Sequence, residues 1–426
     1  MLKTLTLSIK SNRKVLRNMT WLGVLQFANY LIPLLIIPYI VRILGADIFG
    51  KITYAQNIIS YFTLIVNFGF EYSATREIAI NKGNKPALTQ IFWSVLKQKA
   101  LLLLFSFIGL FFLYFIFSKV SSDINLYFFI FLMNVGIVIF PTWFFQGMEE
   151  MGKMAFFNVL IKGLGLILTV IFVKKASDYL IYPLLTSLAY IGFGIGALIY
   201  VIRHFKIKYI RNDKIFSRTL FKRSFPIFLN NLFVSLYTTA NITILGMYHS
   251  NYEIGIYGGA QKIIMAILML TSMPINIAIF PQISREFILS KKNGLRKLKK
   301  VVLLVGIFSL LLCLITYLFS TTFVTVLLGN EFKESIILLK LFSILPFLVI
   351  VASLLTVQGL YGMGLQKYAP YIGLFIGVFS ISLNFIFIPS YGTLAAAINW
   401  IVAQVLEVII VGTILLLYSK RFKYEN

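Results

Sequence analysis

Apolar stretches of 18 or more residues recur along the whole chain, separated by short polar connections. No other feature narrows the fold as much. A run of that length crosses the roughly 30 Å hydrocarbon core of a bilayer as an α-helix. Composition agrees: 59% of the 426 residues are hydrophobic and 12% are charged, against about 25% charged in a soluble domain. The polar surface is too small to cover a soluble globule. The chain therefore reads as an all-α polytopic membrane protein. About twelve transmembrane helices are expected, near residues 18–41, 48–70, 92–118, 124–145, 154–173, 179–202, 225–247, 254–283, 301–321, 335–361, 368–388 and 393–418. The first apolar stretch, residues 19–41, exceeds the roughly 7–15 residues of a signal-peptide core, so it is expected to remain as a span.

A net charge of +25 would point a soluble protein toward nucleic acid. Here the cations gather in a few loops, which topology explains, and no nucleic-acid partner is expected. Lys3, Lys10, Arg13, Lys14 and Arg17 precede the first span. Eight Lys and Arg residues lie between Arg203 and Arg223, seven between Arg285 and Lys300, and Lys420, Arg421 and Lys423 close the chain. With twelve spans all of these fall on one side, which the positive-inside rule makes cytoplasmic together with both termini. The single cysteine, Cys313, lies in an apolar run, and His204 and His249 flank spans. No disulfide framework, metal site or cofactor is expected.

Internal repetition divides the chain in two. GKITYAQNI at 50–58 returns as GIYGGAQKI at 255–263, both of the form G-x4-A-Q-x-I. Q-G-x3-M-G occurs at 146–152 and 358–364, Ile-Leu-Gly at 43–45 and 244–246, and Thr-Arg-Glu at 75–77 matches Ser-Arg-Glu at 284–286. Four matches in one order at similar offsets indicate two six-helix pseudo-repeats. The expected division is an N-terminal lobe at 1–202, a basic cytoplasmic linker at 203–224 and a C-terminal lobe at 225–426. Six spans per repeat give both halves one orientation, related by an axis along the membrane normal.

Polar residues form helical stripes in four spans: Asn18, Gln26 and Asn29; Thr53, Gln56, Ser60, Thr63 and Asn67; Asn231, Ser235, Thr238 and Asn241; Gln261, Ser272 and Asn276. Such a face either lines a water-filled cavity or bonds neighbouring helices. Equivalent placement in both halves favours the cavity. Cations at depth are more telling, since charge is costly in a membrane. Lys262 and Lys162 lie well inside spans, whereas Arg42, Lys51, Arg76, Arg285 and Lys340 lie near ends where snorkelling suffices. Glu407 is a carboxylate within the last span. Cations outnumber acids, which suits an anionic substrate such as a phosphate group.

The stretch PYIVRILGADIFGKITYAQNIISYFTLIVNFGFEYSATREIA, residues 38–79, resembles the N-terminal signature of bacterial polysaccharide-repeat-unit flippases. These are the O-antigen and capsule translocases of the multidrug/oligosaccharidyl-lipid/polysaccharide exporter superfamily. The resemblance rests on R-x-L-G-x4-G at 42–50, Y-A-Q at 54–56, F-G-F-x4-T-R-E-I at 68–78 and P-T-W-F-F-Q-G at 141–147. It implies two six-helix bundles in a V around a central cavity, and transport without chemistry. The implied substrate is an undecaprenyl-diphosphate-linked oligosaccharide, moved from the inner to the outer leaflet of the bacterial cytoplasmic membrane by alternating access driven by an ion gradient. Lys262, Lys51, Arg76 and Arg42 then become candidate diphosphate or headgroup contacts. Gln56, Asn67, Asn231 and Gln261 become candidate sugar contacts, and Glu407 the available coupling carboxylate. Expected partners are the lipid-linked oligosaccharide, membrane lipids and the polysaccharide polymerase machinery.

Two alternatives bear comparison. A drug/cation antiporter of the same superfamily would want Asp or Glu in its cavity, and deep carboxylates are scarce. A membrane polysaccharide polymerase or ligase would want a catalytic cluster on a large outward loop, and the expected outward loops are short. The expectation is a transporter rather than an enzyme.

Overall fold

The computed structural model describes residues 2–210 and 214–421; Arg211 and Lys423 lie outside them. So do the side chains of Lys3, Lys10, Arg13, Lys14, Arg17, Asn18, Gln26, Asn29, Lys420 and Arg421. Eight described helices are long and apolar enough to cross a membrane, and a ninth forms if Lys214–Thr238 and Ala240–Tyr248, bent by 47°, act together. The expectation of twelve further counts both sides of a glycine break in Leu2–Asn67, a helix outside those nine, and both sides of a second break in the last helix. Gly45 (φ 75°) interrupts Leu2–Asn67, and Gly392 (φ 54°) interrupts Ala369–Arg421. An unbroken helix of 53 residues would run about 80 Å, far beyond a bilayer. Both turns sit in the left-handed region that glycine adopts without strain.

Two compact units emerge: Met1–Ile36 with Ile58–Leu229, and Ile37–Asn57 with Asn230–Asn426. The chain thus passes between units at 36/37, 57/58 and 229/230. Residues 37–57, which carry the first copy of the repeated motif, belong to the unit that carries the second copy.

In the first unit, Asn84 caps Lys85–Ile116 by accepting from the Ala87 amide at 3.2 Å, with Pro86 in the first turn. Leu104, Phe105, Phe111, Phe112 and Phe115 on that helix are exposed, the apolar exterior expected of a lipid-facing helix. Ile124–Ile139 and Ile181–His204 pack through glycines. A Cβ on Gly136 would meet the Tyr190 Cβ at 2.6 Å, and one on Gly194 the Gly136 carbonyl at 3.0 Å. Small residues let membrane helices approach in this way. Phe70, Phe92, Trp143, Phe144 and Phe145 are buried together in one cluster.

The predicted span 48–70 ends earlier than expected, at Asn67, and a new helix runs Phe70–Ile80. Gly69 (φ 77°) makes the turn, and a Cβ there would lie 2.9 Å from the Ser224 carbonyl. Phe68, itself at φ 44°, is stacked between Phe221 at 4.2 Å and Phe228 at 4.7 Å. The 203–224 stretch, read as a connection, is helical from Lys214 onward. Its Leu220 is buried in the aromatic core while its cations stay outside. An amphipathic start of this kind resembles a loop to any reading that weighs charge alone.

In the second unit, Ser250 and Glu253 form a reciprocal capping box that starts Asn251–Leu289. A chain of buried amides ties helices together: Asn399 donates to Asn384 (2.6 Å), Asn384 to Asn241 (2.7 Å), and Asn241 to the Tyr257 hydroxyl (3.3 Å). Each donor finds an acceptor, as a low-dielectric interior demands. Leu354–Leu360 is a π-helical turn that contains the second Q-G motif.

Candidate functional site

The two copies of the repeated motif meet. A Cβ on Gly50 would collide with the Asn251 carbonyl oxygen, and a Cβ on Gly255 with the Ala46 carbonyl oxygen. Each obstacle is the residue four positions before the opposite glycine. A contact in which i touches j' while j touches i' is the mark of a two-fold axis, so a local pseudo-two-fold passes between Gly50 and Gly255. Thr53 packs on Gly258, and Tyr54 on Gly246. Glycine is required here for close approach, since both residues are helical.

Around this crossing the polar contacts are specific. The Glu331 carboxylate accepts from the Ala46 amide at 3.2 Å, satisfying an orphan donor where the helix restarts after Gly45. Arg42 Nη2 donates to the Val326 carbonyl at 2.7 Å. Lys262 extends over the Phe49 ring with Nζ 4.5 Å from its centroid, and Phe49 meets Phe332 edge-on at 5.7 Å. No carboxylate pairs with Lys262 among the described residues. The aromatic face supplies the stabilisation an ammonium needs in a dry setting. Its helix starts three residues earlier than read, at Asn251, which puts Lys262 about 16 Å along it. Asn57, the counterpart of Lys262 in the first repeat, accepts from Thr243 at 2.7 Å and donates to the Thr239 carbonyl at 3.2 Å. One repeat thus uses the position to tie helices, and the other keeps a cation there.

The remaining candidates of this unit divide by engagement. Lys51 is partly buried on the same helix as Gly50. Gln56, Gln261 and Asn231 are partly buried and have no hydrogen-bond partner among the described residues. Glu407 accepts from the Tyr237 hydroxyl and the Thr356 hydroxyl, both at 3.5 Å, beside a cavity of about 70 Å³ that Asn230 and Tyr361 also line. Asn241 and Asn276 of the stripes do interhelical work instead: Asn276 donates to Ser353 at 2.9 Å.

Two candidates belong to the first unit. Arg76 is exposed on Phe70–Ile80 and lines a cavity of about 600 Å³ with Tyr72, Ser73, Glu77 and Arg223. Asn67 accepts through Oδ1 from Lys99 Nζ at 3.1 Å, and Lys99 also donates to the Ile137 carbonyl at 3.2 Å. Lys99 is 1% exposed. Sequence reasoning missed it. The available signal was a cation inside a predicted span, a signal that Lys262 shares, but Lys99 lacks the repeat mismatch that also marks Lys262. Thr63, on the stripe with Asn67, donates to Asn134 at 2.7 Å. Lys162 is partly buried.

A family model described as polysaccharide biosynthesis protein matches residues 15–287. The chain is 29% identical over 390 residues to a protein of Escherichia coli (strain K12) named "Putative O-antigen transporter", covering 92% of this chain and 94% of that one. A protein of the same name from Shigella dysenteriae is 27% identical over 396 residues, covering 92% and 98%. Among solved structures, an inward-facing MATE family multidrug resistance transporter of the MOP superfamily superposes with a TM-score of 0.69 at 12% identity, over 95% of this chain and 99% of that one. The lipid II flippase MurJ, in its inward closed conformation, gives 0.64 at 16% identity, over 98% and 87%. At such identities the structural likeness speaks for the fold. The family match, in contrast, spans most of the chain and includes both copies of the motif whose glycines meet, and the chain belongs to the polysaccharide biosynthesis protein family.

Proposed function

We propose that the protein is a flippase that carries undecaprenyl-diphosphate-linked oligosaccharide units from the inner to the outer leaflet of the bacterial cytoplasmic membrane, for O-antigen or capsule assembly. The observation that carries this reading is the likeness, over nearly the whole of both chains, to the two proteins named "Putative O-antigen transporter". The chemistry is compatible. Sugar hydroxyls stripped of water cost several kcal/mol each unless they find new partners. Gln56, Asn67, Asn231 and Gln261 are the proposed partners, and Lys262, Lys51, Arg76 and Arg42 the proposed diphosphate contacts. Transport proceeds by alternating access between two six-helix lobes, with both termini cytoplasmic. Glu407 is the proposed coupling carboxylate, and the polymerase machinery receives the product.

Deletion of the gene in a polysaccharide-producing host tests the reading. Surface polymer should disappear, lipid-linked units should accumulate, and the wild-type gene should restore both. Normal polymer without accumulation would remove the flippase assignment.

A further inference from the structure

The cavity beside Arg76 holds a second guanidinium that the sequence places in the linker. Arg223 Nη1 donates to Glu77 Oε1 at 2.5 Å. The two arginines come from different helices, Phe70–Ile80 and Lys214–Thr238, and line one space of about 600 Å³. The segments that carry the two arginines are tied to each other beside it. The Ser73 and Ser224 hydroxyls lie 2.6 Å apart, and Phe68 is held between Phe221 and Phe228. Glu71, on the same helix, is engaged by the Thr142 hydroxyl at 3.4 Å, and Glu77 is the carboxylate that lines the cavity. Arg76 pairs with no carboxylate among the described residues. Arg218 and Lys222 are exposed beside Arg223 on its helix. Ile80 and Ile227 give the cavity an apolar wall.

We infer that this cavity receives the diphosphate of a polyprenyl lipid, and that Glu77 holds Arg223 in place until the diphosphate displaces it. The inference rests on the flippase reading and names Arg223 and Glu77 as parts of its first binding step. A guanidinium presents a planar fork that matches phosphate oxygens in pairs. The resident pair is weak, because the Arg223 side chain is 61% exposed and exposed ion pairs contribute little. A diphosphate offers more charge and more acceptors than one carboxylate, so exchange favours the ligand. The apolar wall suits the first prenyl units and has no use for a free anion.

The test titrates the full-length protein in nanodiscs with farnesyl diphosphate, inorganic pyrophosphate and farnesol. Farnesyl diphosphate should bind saturably and most tightly. Arg223→Ala and Arg76→Ala should each raise its Kd about tenfold, the effect of one charge-assisted contact. Glu77→Gln should lower the Kd, because the competitor for Arg223 is gone. A pair that only braced the fold would behave oppositely, with Glu77→Gln weakening binding. An unchanged or higher Kd for Glu77→Gln, or an unchanged Kd for Arg223→Ala, in variants that elute as single species would overturn the site. Pyrophosphate binding as tight as farnesyl diphosphate would overturn the lipid as occupant. The two readings fail separately. Polymer lost on gene deletion with no effect of these variants on binding removes the site and leaves the flippase. The expected binding pattern in a protein whose deletion leaves polymer normal removes the flippase and leaves the site.

Discussion

Lys262 and Lys99 are both lysines inside apolar helices, yet only the first was legible in the sequence. Lys262 stood out because it breaks a repeat that has Asn57 in the other copy. Lys99 lies only seven residues beyond the predicted span start at Phe92, a depth from which a lysine can snorkel. Its helix begins instead at Lys85, which sets Lys99 about 21 Å along it. The two make different predictions. Lys262→Ala should abolish surface polymer while the protein inserts at normal levels, and Lys262→Arg should retain part of it; wild-type polymer in the alanine strain would exclude a transport role. Lys99 is bound to Asn67, and removing one partner of a buried charge costs more than removing both. Asn67→Leu should therefore destabilise the protein by about 1.5–3 kcal/mol, and adding Lys99→Met should recover most of the loss. Thermal unfolding of the detergent-solubilised variants measures this, and a double variant as unstable as the single one would count against the pairing.

At the level of helices, periodicity and apolar length located most of the spans, and glycine explains the main departures. The turns at Gly45, Gly69 and Gly392 need positive φ, but many glycines in this chain are ordinary helix residues, so composition alone does not say which will break a span. The repeat marked Gly50 and Gly255 as equivalent without indicating that they touch. Their reciprocal fit predicts a sharp contrast among substitutions. Gly255→Leu or Gly50→Val has no room and must force the crossing helices apart, with loss of polymer export and of thermal stability. Gly163, helical and with no atom within 4 Å of a Cβ position, is the control. Gly163→Ala should be neutral or stabilise by about 0.5–1 kcal/mol, the helix preference of alanine over glycine. Equal damage at Gly163 and Gly255 would mean that the crossing is not the sensitive feature.

For the molecule as a whole, the long apolar runs sufficed to read an all-helical membrane protein, and the four recurring motifs an internal repeat. They could not reveal that residues 37–57 join the unit formed by 230–426, because that choice depends on side-chain fit: glycine against backbone, Glu331 on the Ala46 amide, Arg42 on the Val326 carbonyl. The arrangement carries a consequence for transport. Alternating access requires a segment closed against its neighbours in one state to leave them in the other. If 37–57 is that segment, the contacts at Ala46 and Glu331 must break once per cycle. Cys313 is buried and the only cysteine of the chain, so a Cys313→Ala background frees the protein for engineered pairs. In that background, Ala46→Cys with Glu331→Cys should be bridged by a short bifunctional methanethiosulfonate. Bridging should stop translocation of a lipid-linked oligosaccharide in proteoliposomes, and reductant should restore it, while either single cysteine treated alike stays active. Undiminished translocation by the fully bridged protein would show that residues 37–57 remain with the second unit throughout the cycle, and that movement must arise at the 36/37, 57/58 and 229/230 junctions instead.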